Sequence, residues 1–583
     1  MSTRSPSASP VQPTTPRDEA YPVSWSGWAD PAHVEPLGEG LLGLLRGAFG
    51  LSGDAVAAPG APEDVALPVP ALPSASIDAL RAIVGAEHVL TDHGSRLRHA
   101  VGKSTPDLLA ARAGRIAEAP DAVVRPASPE EVQLVVERCA DLRVAVVPFG
   151  GGTSVVGGLR AIAGGLAGAV ALDLRRLDRL VAVSAEDRTA TLQAGLLLPE
   201  ADALLRPHGL QLGHLPQSYE RASVGGCAAT RSSGQASSGF GRFDAMVVGL
   251  RAATPSGELR VSERPPNAAG PDLKGLLLGS EGVLGVLTEV TVRVQPLPGA
   301  ERYEGWALPS FAAGCAALRD LARSGERPTV VRMSDEVETA MRLATVTQGG
   351  GPAEDALAGD APASGADDGP AAGDGADGDG LTAGSCLVVI GWEGEDAAQV
   401  DGRAERAAAI LLRHGGLAQG REPGESWRAG RFHAPYLRDA LLDRGVLVET
   451  LETATAWSRV EDLRAGLTAA IQGALGGDGR APVVVMGHVS HVYAEGASLY
   501  LTVVAAGGSD PAATTARWLV AKRAAGDGIA ARGASITHHH AVGTDHAPWM
   551  RDEIGDLGVA VLRAVKERLD PVGVLNPGKL LPA

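Results

Sequence analysis

The chain has 583 residues, 45% of them hydrophobic and 21% charged, a balance that excludes wholesale disorder and fibrous architecture. Its net charge is −17, yet eight of the 69 acids crowd into 351–380 with no base among them. The remainder is only mildly acidic and lacks the basic stripes that nonspecific nucleic-acid binding needs, so no nucleic-acid partner is expected.

Seventy-six glycines and 39 prolines imply many turns, and with few aromatic residues the core must be built from Val, Leu and Ala. Cys139, Cys227, Cys315 and Cys386 stand far apart, with neither metal-ligand nor secreted-scaffold spacing, and read as structural thiols of a reducing compartment. No metal is expected. No apolar run reaches the length of a membrane span and residues 1–20 carry no secretory apolar stretch, so the chain reads as cytoplasmic.

Residues 1–20 read as a disordered tail, because Pro and Ser without periodic apolar residues cannot offset chain entropy. A mostly helical N-terminal segment, 21–117, follows. Within it, 41–49 reads as a short helix on the protein's own surface; a lipid-facing helix is the alternative, weakened by Gly40, Gly43 and Gly47. A strand at 121–126 ends at a proline, and Ser128-Pro129-Glu130-Glu131 is a capping box with proline in the first helical position. Val132, Val135, Val136 and Cys139 then repeat at helical spacing, and a strand at 144–147 runs into a glycine loop. Further strands are predicted at 169–174, 189–194, 246–252, 290–294 and 386–392, and helices at 199–205, 312–323, 396–414 and 460–475. The mixture is α+β. The acidic, Gly- and Ala-rich stretch 348–380 reads as a disordered surface loop.

The loop Pro148, Phe149, Gly150, Gly151, Gly152, Thr153 and Ser154 exposes backbone N–H groups and two hydroxyls, which suits a pyrophosphate. In so glycine-rich a chain the run is as readily a tight turn, and it fails the G-x-G-x-x-G dinucleotide fingerprint. A second polar, glycine-rich tract covers 213–241, and a third opens at Gly279-Ser280-Glu281-Gly282. Three such tracts exceed what turns require.

In order and content these tracts resemble the flavin domain of the vanillyl-alcohol oxidase and p-cresol methylhydroxylase type. The resemblance implies a two-part FAD-binding domain over 118–298, a C-terminal α+β cap over 299–570, and a segment 571–583 that returns to the FAD domain. It implies FAD held by the seven loop residues named above. It adds Leu215, Pro216, Gln217, Ser218, Tyr219, Glu220 and Arg221, then Ala229, Thr230, Arg231 and Ser232, and finally Glu281, Gly282, Val283, Leu284, Gly285, Val286 and Leu287. No histidine lies in the first loop, where some relatives attach the flavin, so the FAD is expected to be noncovalent.

Three consecutive histidines, His538, His539 and His540, precede a small-residue turn, where lactate and glycolate dehydrogenases of this fold carry Glu-His-Gly. On a strand, consecutive side chains alternate faces, which makes a three-ligand metal site from the triplet awkward. The triplet resembles the alkyldihydroxyacetonephosphate synthase family. Trp25-Ser26-Gly27-Trp28, Gly213-His214, Tyr436-Leu437-Arg438-Asp439, Glu449-Thr450 and the stretch from Tyr493 to Tyr500 carry the same resemblance. Departures are Ala541, where the family has glycine, a missing lysine after it, and the sequence around Arg332.

By pattern alone Tyr500 is a packed aromatic in an alternating strand and Arg438 a surface ion pair. The resemblance implies instead that Tyr500 moves a substrate proton, that Arg438 grips a phosphate, and that Arg332 and the three histidines join the catalysis; Tyr493 is read as packing. The implied reaction is the redox-neutral exchange of the acyl group of acyl-dihydroxyacetone phosphate for a long-chain fatty alcohol, in ether-lipid synthesis. The rivals are an FAD-dependent 2-hydroxy-acid dehydrogenase and a flavoprotein subunit without turnover. A homodimer and peripheral membrane contact complete the expectations.

Overall fold

The computed structural model describes residues 24–29, 33–34, 36–50, 59–262, 264–265, 267–347, 381–382, 384–476 and 482–582. The tail 1–20 and the acidic stretch 348–380 lie outside the described residues.

Only half of the capping box forms: the Glu131 side chain accepts from the Ala127 N–H at 2.7 Å rather than from that of Ser128. Ser128 accepts from the Glu131 N–H and starts the helix Pro129–Leu142, which buries Val132, Val135, Val136 and Cys139 and ends at Arg143 in the left-handed region. The chain then enters the strand Ala145–Phe149, parallel to Ala169–Asp173, which is itself parallel to Ala122–Val124; Val89–Leu90 closes the edge antiparallel. Near the C-terminus Leu575 bridges to Val146, with Asn576 N donating to Val146 O at 2.8 Å. The final residues therefore lie one strand away from the glycine loop.

An antiparallel five-stranded sheet follows, in the order Leu180–Ser184, Thr189–Gln193, Val286–Arg293, Val247–Thr254, Gly257–Val261. Val286–Arg293 starts earlier than alternation predicts. Val286 and Leu287 pair with Ala253 and Ala252 and are both buried, so neither face supplies the polar partner that marks a strand by period two.

The third sheet has seven antiparallel strands, ordered Leu417–Gly420, Ala300–Leu308, Cys386–Gly394, Val330–Ser334, Val484–Val489, Gly496–Ala506, Val446–Ala456. Helices Phe311–Arg323, Ala397–Arg413, Val460–Gly476 and Pro511–Ala531 pack on it through one large apolar core. Helix Glu39–Phe49 buries Leu41, Leu42 and Leu45 against Leu437, Leu441 and Val446, so its apolar face is spent on the protein itself rather than on lipid. Among the described residues no helix is long and apolar enough to cross a membrane.

Candidate active site

The glycine loop leaves the strand Ala145–Phe149 and presses against the backbone of 221–223. A Cβ on Gly151 would stand 1.6 Å from the Arg221 carbonyl oxygen, and one on Gly150 would stand 2.1 Å from Ser223 Oγ. Gly282 has φ 77°, and a Cβ there would be 2.7 Å from Pro148. Only glycine permits this approach. The result is a wall of backbone facing a cavity of about 400 Å³.

Of the residues expected to hold FAD, Pro148, Phe149, Gly150, Gly151, Gly152, Thr153, Ser154, Pro216, Gln217, Ser218, Ala229, Thr230, Ser232, Glu281, Gly282, Gly285, Val286 and Leu287 line this cavity. The others support it from behind. Tyr219 donates to Asp202 at 2.7 Å, Glu220 accepts from the Tyr436 hydroxyl at 2.8 Å, and Arg231 donates to the Leu278 and Gly275 carbonyls, both at 2.9 Å. Arg221 is buried behind Gly151, Val283 and Leu284 belong to the core, and Leu215 packs near Tyr303 and Trp427.

The opposite wall comes from the seven-stranded sheet. Tyr500 lies on Gly496–Ala506, opposite Glu452 on one side and His488 on the other. Its ring stacks on His488 at 4.6 Å, lies parallel to His539 at 6.0 Å and meets His540 edge-on at 5.5 Å. Burial pushes its phenol up to about 12, so it carries its proton at neutral pH. Behind it, Arg332 and His488 both contact Glu338, with His488 Nδ1 at 3.2 Å from the carboxylate. Burial opposes ionisation of Glu338, but Arg332 and His488 outweigh it and hold the carboxyl at about 2.

The histidine turn is held by one buried carboxylate. Glu452 accepts from the backbone N–H groups of His538, His539 and His540 at 2.6, 3.1 and 2.8 Å, and from the Thr537 hydroxyl. Three consecutive donors aimed at one side chain make a turn, not the strand that alternation presumes, so two neighbouring rings can share the cavity. His539 and His540 line the cavity; His538 sits behind, with Nε2 against the Tyr493 hydroxyl at 2.7 Å and Nδ1 against His539 Nδ1 at 3.1 Å. Tyr493 thus does more than pack. Burial pushes His538 and His540 down to about 3, leaving neutral imidazoles at physiological pH. Glu281 accepts from Val542 and Gly543, both at 2.8 Å, and ties the end of this turn to the glycine wall.

His491, His538 and His539 have ring nitrogens within 4.8 Å of one another. The His491 and His538 rings are stacked at 5.0 Å and 23°, so their in-plane lone pairs lie in separate layers, and both nitrogens of His538 already have partners. The arrangement suits a hydrogen-bonded stack better than a shared ion.

At another point of the cavity Arg438 donates to the Lys103 carbonyl at 2.6 Å and contacts Asp439. Lys103 is buried, donates to the Gly27 carbonyl at 2.8 Å and has its ammonium pushed down to about 7 by burial. On the lining residues, Arg431 Nη1, Arg438 Nε, His491 Nδ1 and Asn576 Oδ1 are buried without a hydrogen-bond partner. Native interiors rarely leave such atoms unpaired, so the cavity is shaped for a large polar ligand, and a dinucleotide with a pyrophosphate against the glycine wall fits it.

The sequence matches the FAD binding domain over 120–262 and the FAD linked oxidases, C-terminal domain, over 297–580. It is 32% identical over 503 residues to alkyldihydroxyacetonephosphate synthase of Dictyostelium discoideum, covering 86% of this chain and 80% of that one. The chain belongs to the alkyldihydroxyacetonephosphate synthase family. A solved alkyldihydroxyacetonephosphate synthase superposes with a TM-score of 0.76 at 27% identity, covering 96% of this chain and 99% of that one. The fold is that of p-cresol methylhydroxylase, which superposes with a TM-score of 0.63 at 15% identity over 87% of this chain and 96% of that one. The α+β flavin fold expected from the glycine tracts is therefore present, and the chain is an FAD-dependent enzyme of the synthase family.

Sequence reasoning passed over Glu452, Glu338, His488, His491 and Lys103. His488 and His491 had a signal, two histidines three apart at the end of the run Val483-Val484-Val485 and close before Tyr493. The two glutamates had none, because a buried acid in a strand or helix looks like any exposed one until its partners arrive from distant segments.

Proposed function

We propose that this enzyme exchanges the acyl group of acyl-dihydroxyacetone phosphate for a long-chain alcohol, forming the alkyl ether and releasing a fatty acid without net oxidation. Its support is the family together with one observation: Tyr500, His539 and His540 face the same cavity as the glycine wall and Arg438. In this reading the glycine wall and the lining residues of 216–232 and 281–287 hold noncovalent FAD. Bound FAD supplies a ring that can take an electron pair from the substrate carbon and return it.

The chain's own residues do the rest. Arg438 binds the phosphate, since a guanidinium with an unpaired Nε matches its oxygens. Tyr500 moves the proton at the reacting carbon, and its retained phenol proton is the state that role requires. Arg332 holds Glu338 and His488 behind the Tyr500 ring, and the histidine turn receives the alcohol. Residues 118–298 serve as the FAD domain and 299–570 as the cap. We propose a homodimer in solution, which light scattering checks.

The test is product analysis with no electron acceptor present. Acyl-dihydroxyacetone phosphate plus hexadecanol should yield ether and perturb the oxidised flavin spectrum, while D-lactate and glycolate leave the flavin oxidised. Anaerobic bleaching by a 2-hydroxy acid, with no ether formed, would place the protein among the dehydrogenases.

A further inference from the structure

We infer that His491, which lies outside the histidine triplet, takes the hydroxyl proton of the incoming alcohol; this rests on the exchange reaction proposed above. His491 is 5% exposed and lines the cavity, and its Nδ1 is buried without a partner. Its backbone is pinned on both sides, with N donating to Ser498 Oγ at 3.2 Å and O accepting from Ser498 N at 2.9 Å. The ring is confined by stacking on His538 at 5.0 Å and by the edge contact with His539 at 5.2 Å.

The neighbouring rings are less free. His538 uses one nitrogen on Tyr493 and the other on His539, and His539 Nδ1 is shared between His538 and the Glu452 carboxylate at 3.6 Å. Among these three rings only that of His491 has a nitrogen that is buried and unpartnered. A buried polar atom of this kind is retained where a ligand completes it.

The chemistry of that ligand follows from the ring's charge. Burial, followed by the His538 and His539 rings, holds His491 well below the usual imidazole range, so it is neutral. A neutral imidazole with Nε2 protonated offers one lone pair at Nδ1. That suits an uncharged hydroxyl, whereas a phosphate dianion is served by Arg438. In the step, the alcohol oxygen forms the new bond to the dihydroxyacetone carbon as its O–H bond breaks, and the proton passes to Nδ1. The fatty acyl group leaves as carboxylate with the electron pair of the broken C–O bond, and the imidazolium returns its proton to solvent. No electrons are gained or lost.

The test uses the full FAD-loaded chain. His491→Asn keeps a hydrogen-bonding atom near the Nδ1 position but cannot hold a proton. Flavin content and melting temperature should stay at wild-type values, and KM for hexadecanol should remain within about threefold while kcat falls roughly 10²- to 10⁴-fold. A fluorinated long-chain alcohol, whose hydroxyl is more acidic, should recover much of the deficit, which a purely structural role would not produce. His491→Gln is assayed in parallel in case the asparagine variant folds poorly. An unchanged kcat in a wild-type background that makes ether would overturn this inference alone. So would an equal loss with both alcohols. No ether from the wild type with any alcohol would overturn the exchange reading, and this inference with it.

Discussion

Around the cavity, the loop 150–154 and the turn 537–543 meet the ligand space in opposite ways. The loop offers backbone, and its glycines stand where a Cβ would collide with Arg221 O or Ser223 Oγ. The turn offers side chains, and a buried carboxylate, Glu452, gathers three successive N–H groups so that the His539 and His540 rings project together. One wall excludes side chains by contact distance, while the other orders them through charge and hydrogen bonding. The first should therefore fail sterically, whatever the pH, and the second chemically, with its fold intact.

The largest effect is expected at the first wall. Gly151→Asp should purify without flavin and melt lower, because the new Cβ would have to displace the Arg221 carbonyl and the carboxylate would face the pyrophosphate of the FAD proposed to lie there. Overpacking of this kind costs about 1–3 kcal/mol before any lost ligand is counted. Gly151→Ala, which brings the collision without the charge, separates the two causes: equal flavin loss in both variants, read from the visible-to-ultraviolet absorbance ratio, assigns the effect to sterics.

On the second wall Tyr500→Phe should keep flavin and melting temperature but lose turnover by about 10²- to 10⁴-fold, since only the proton-carrying hydroxyl is removed. Tyr493→Phe breaks the 2.7 Å contact to His538 and should be far milder. Similar losses in the two would mean that the turn works as one hydrogen-bonded unit rather than through Tyr500.

A smaller effect separates the walls by pH. Glu338 is held at about 2 against an ordinary 4.5, so its contribution to stability is present above pH 4.5 and is lost as the pH falls towards 2. The shift corresponds to about 3 kcal/mol. Glu338→Gln should be less stable than wild type at neutral pH and should lack this acid limb, as read by urea unfolding at stepped pH.

The smallest effect is expected at Ala541, which follows the triplet with φ 75°. A left-handed backbone is unfavourable for a residue with a Cβ by about 1–2 kcal/mol, so Ala541→Gly should raise the melting temperature of so long a chain by about 1–2 °C without altering flavin content. A lower melting temperature would show that the methyl, which is 8% exposed, matters more in packing than the strain it carries.

Much of the glycine wall was legible because its signals are local. The capping box at 128–131, the strand leading into three glycines, and the later glycine tracts each occupy a few consecutive residues. Legibility fell at Leu215, Tyr219, Glu220, Arg221, Arg231, Val283 and Leu284, which share those tracts yet turn away from the cavity. Tract membership says which backbone is near a ligand. It does not say which side chain points at it.

The sequence by itself determined the α+β mixture and the glycine loop, because turn conformation, capping and strand alternation depend on near neighbours; the flavin fold and the expected roles of Tyr500, Arg438 and the histidine triplet came from resemblance to a family. Only the tertiary structure decided that Glu452 meets a backbone N–H 86 residues away, that Glu338 holds Arg332 beside His488, and that His491 keeps a free nitrogen. The reason is physical. The register of Val446–Ala456 on Gly496–Ala506, and of that strand on Val484–Val489, brings Glu452, Tyr500 and His488 side by side, and that register is set by burying the sheet's whole apolar face rather than by any residue at the site.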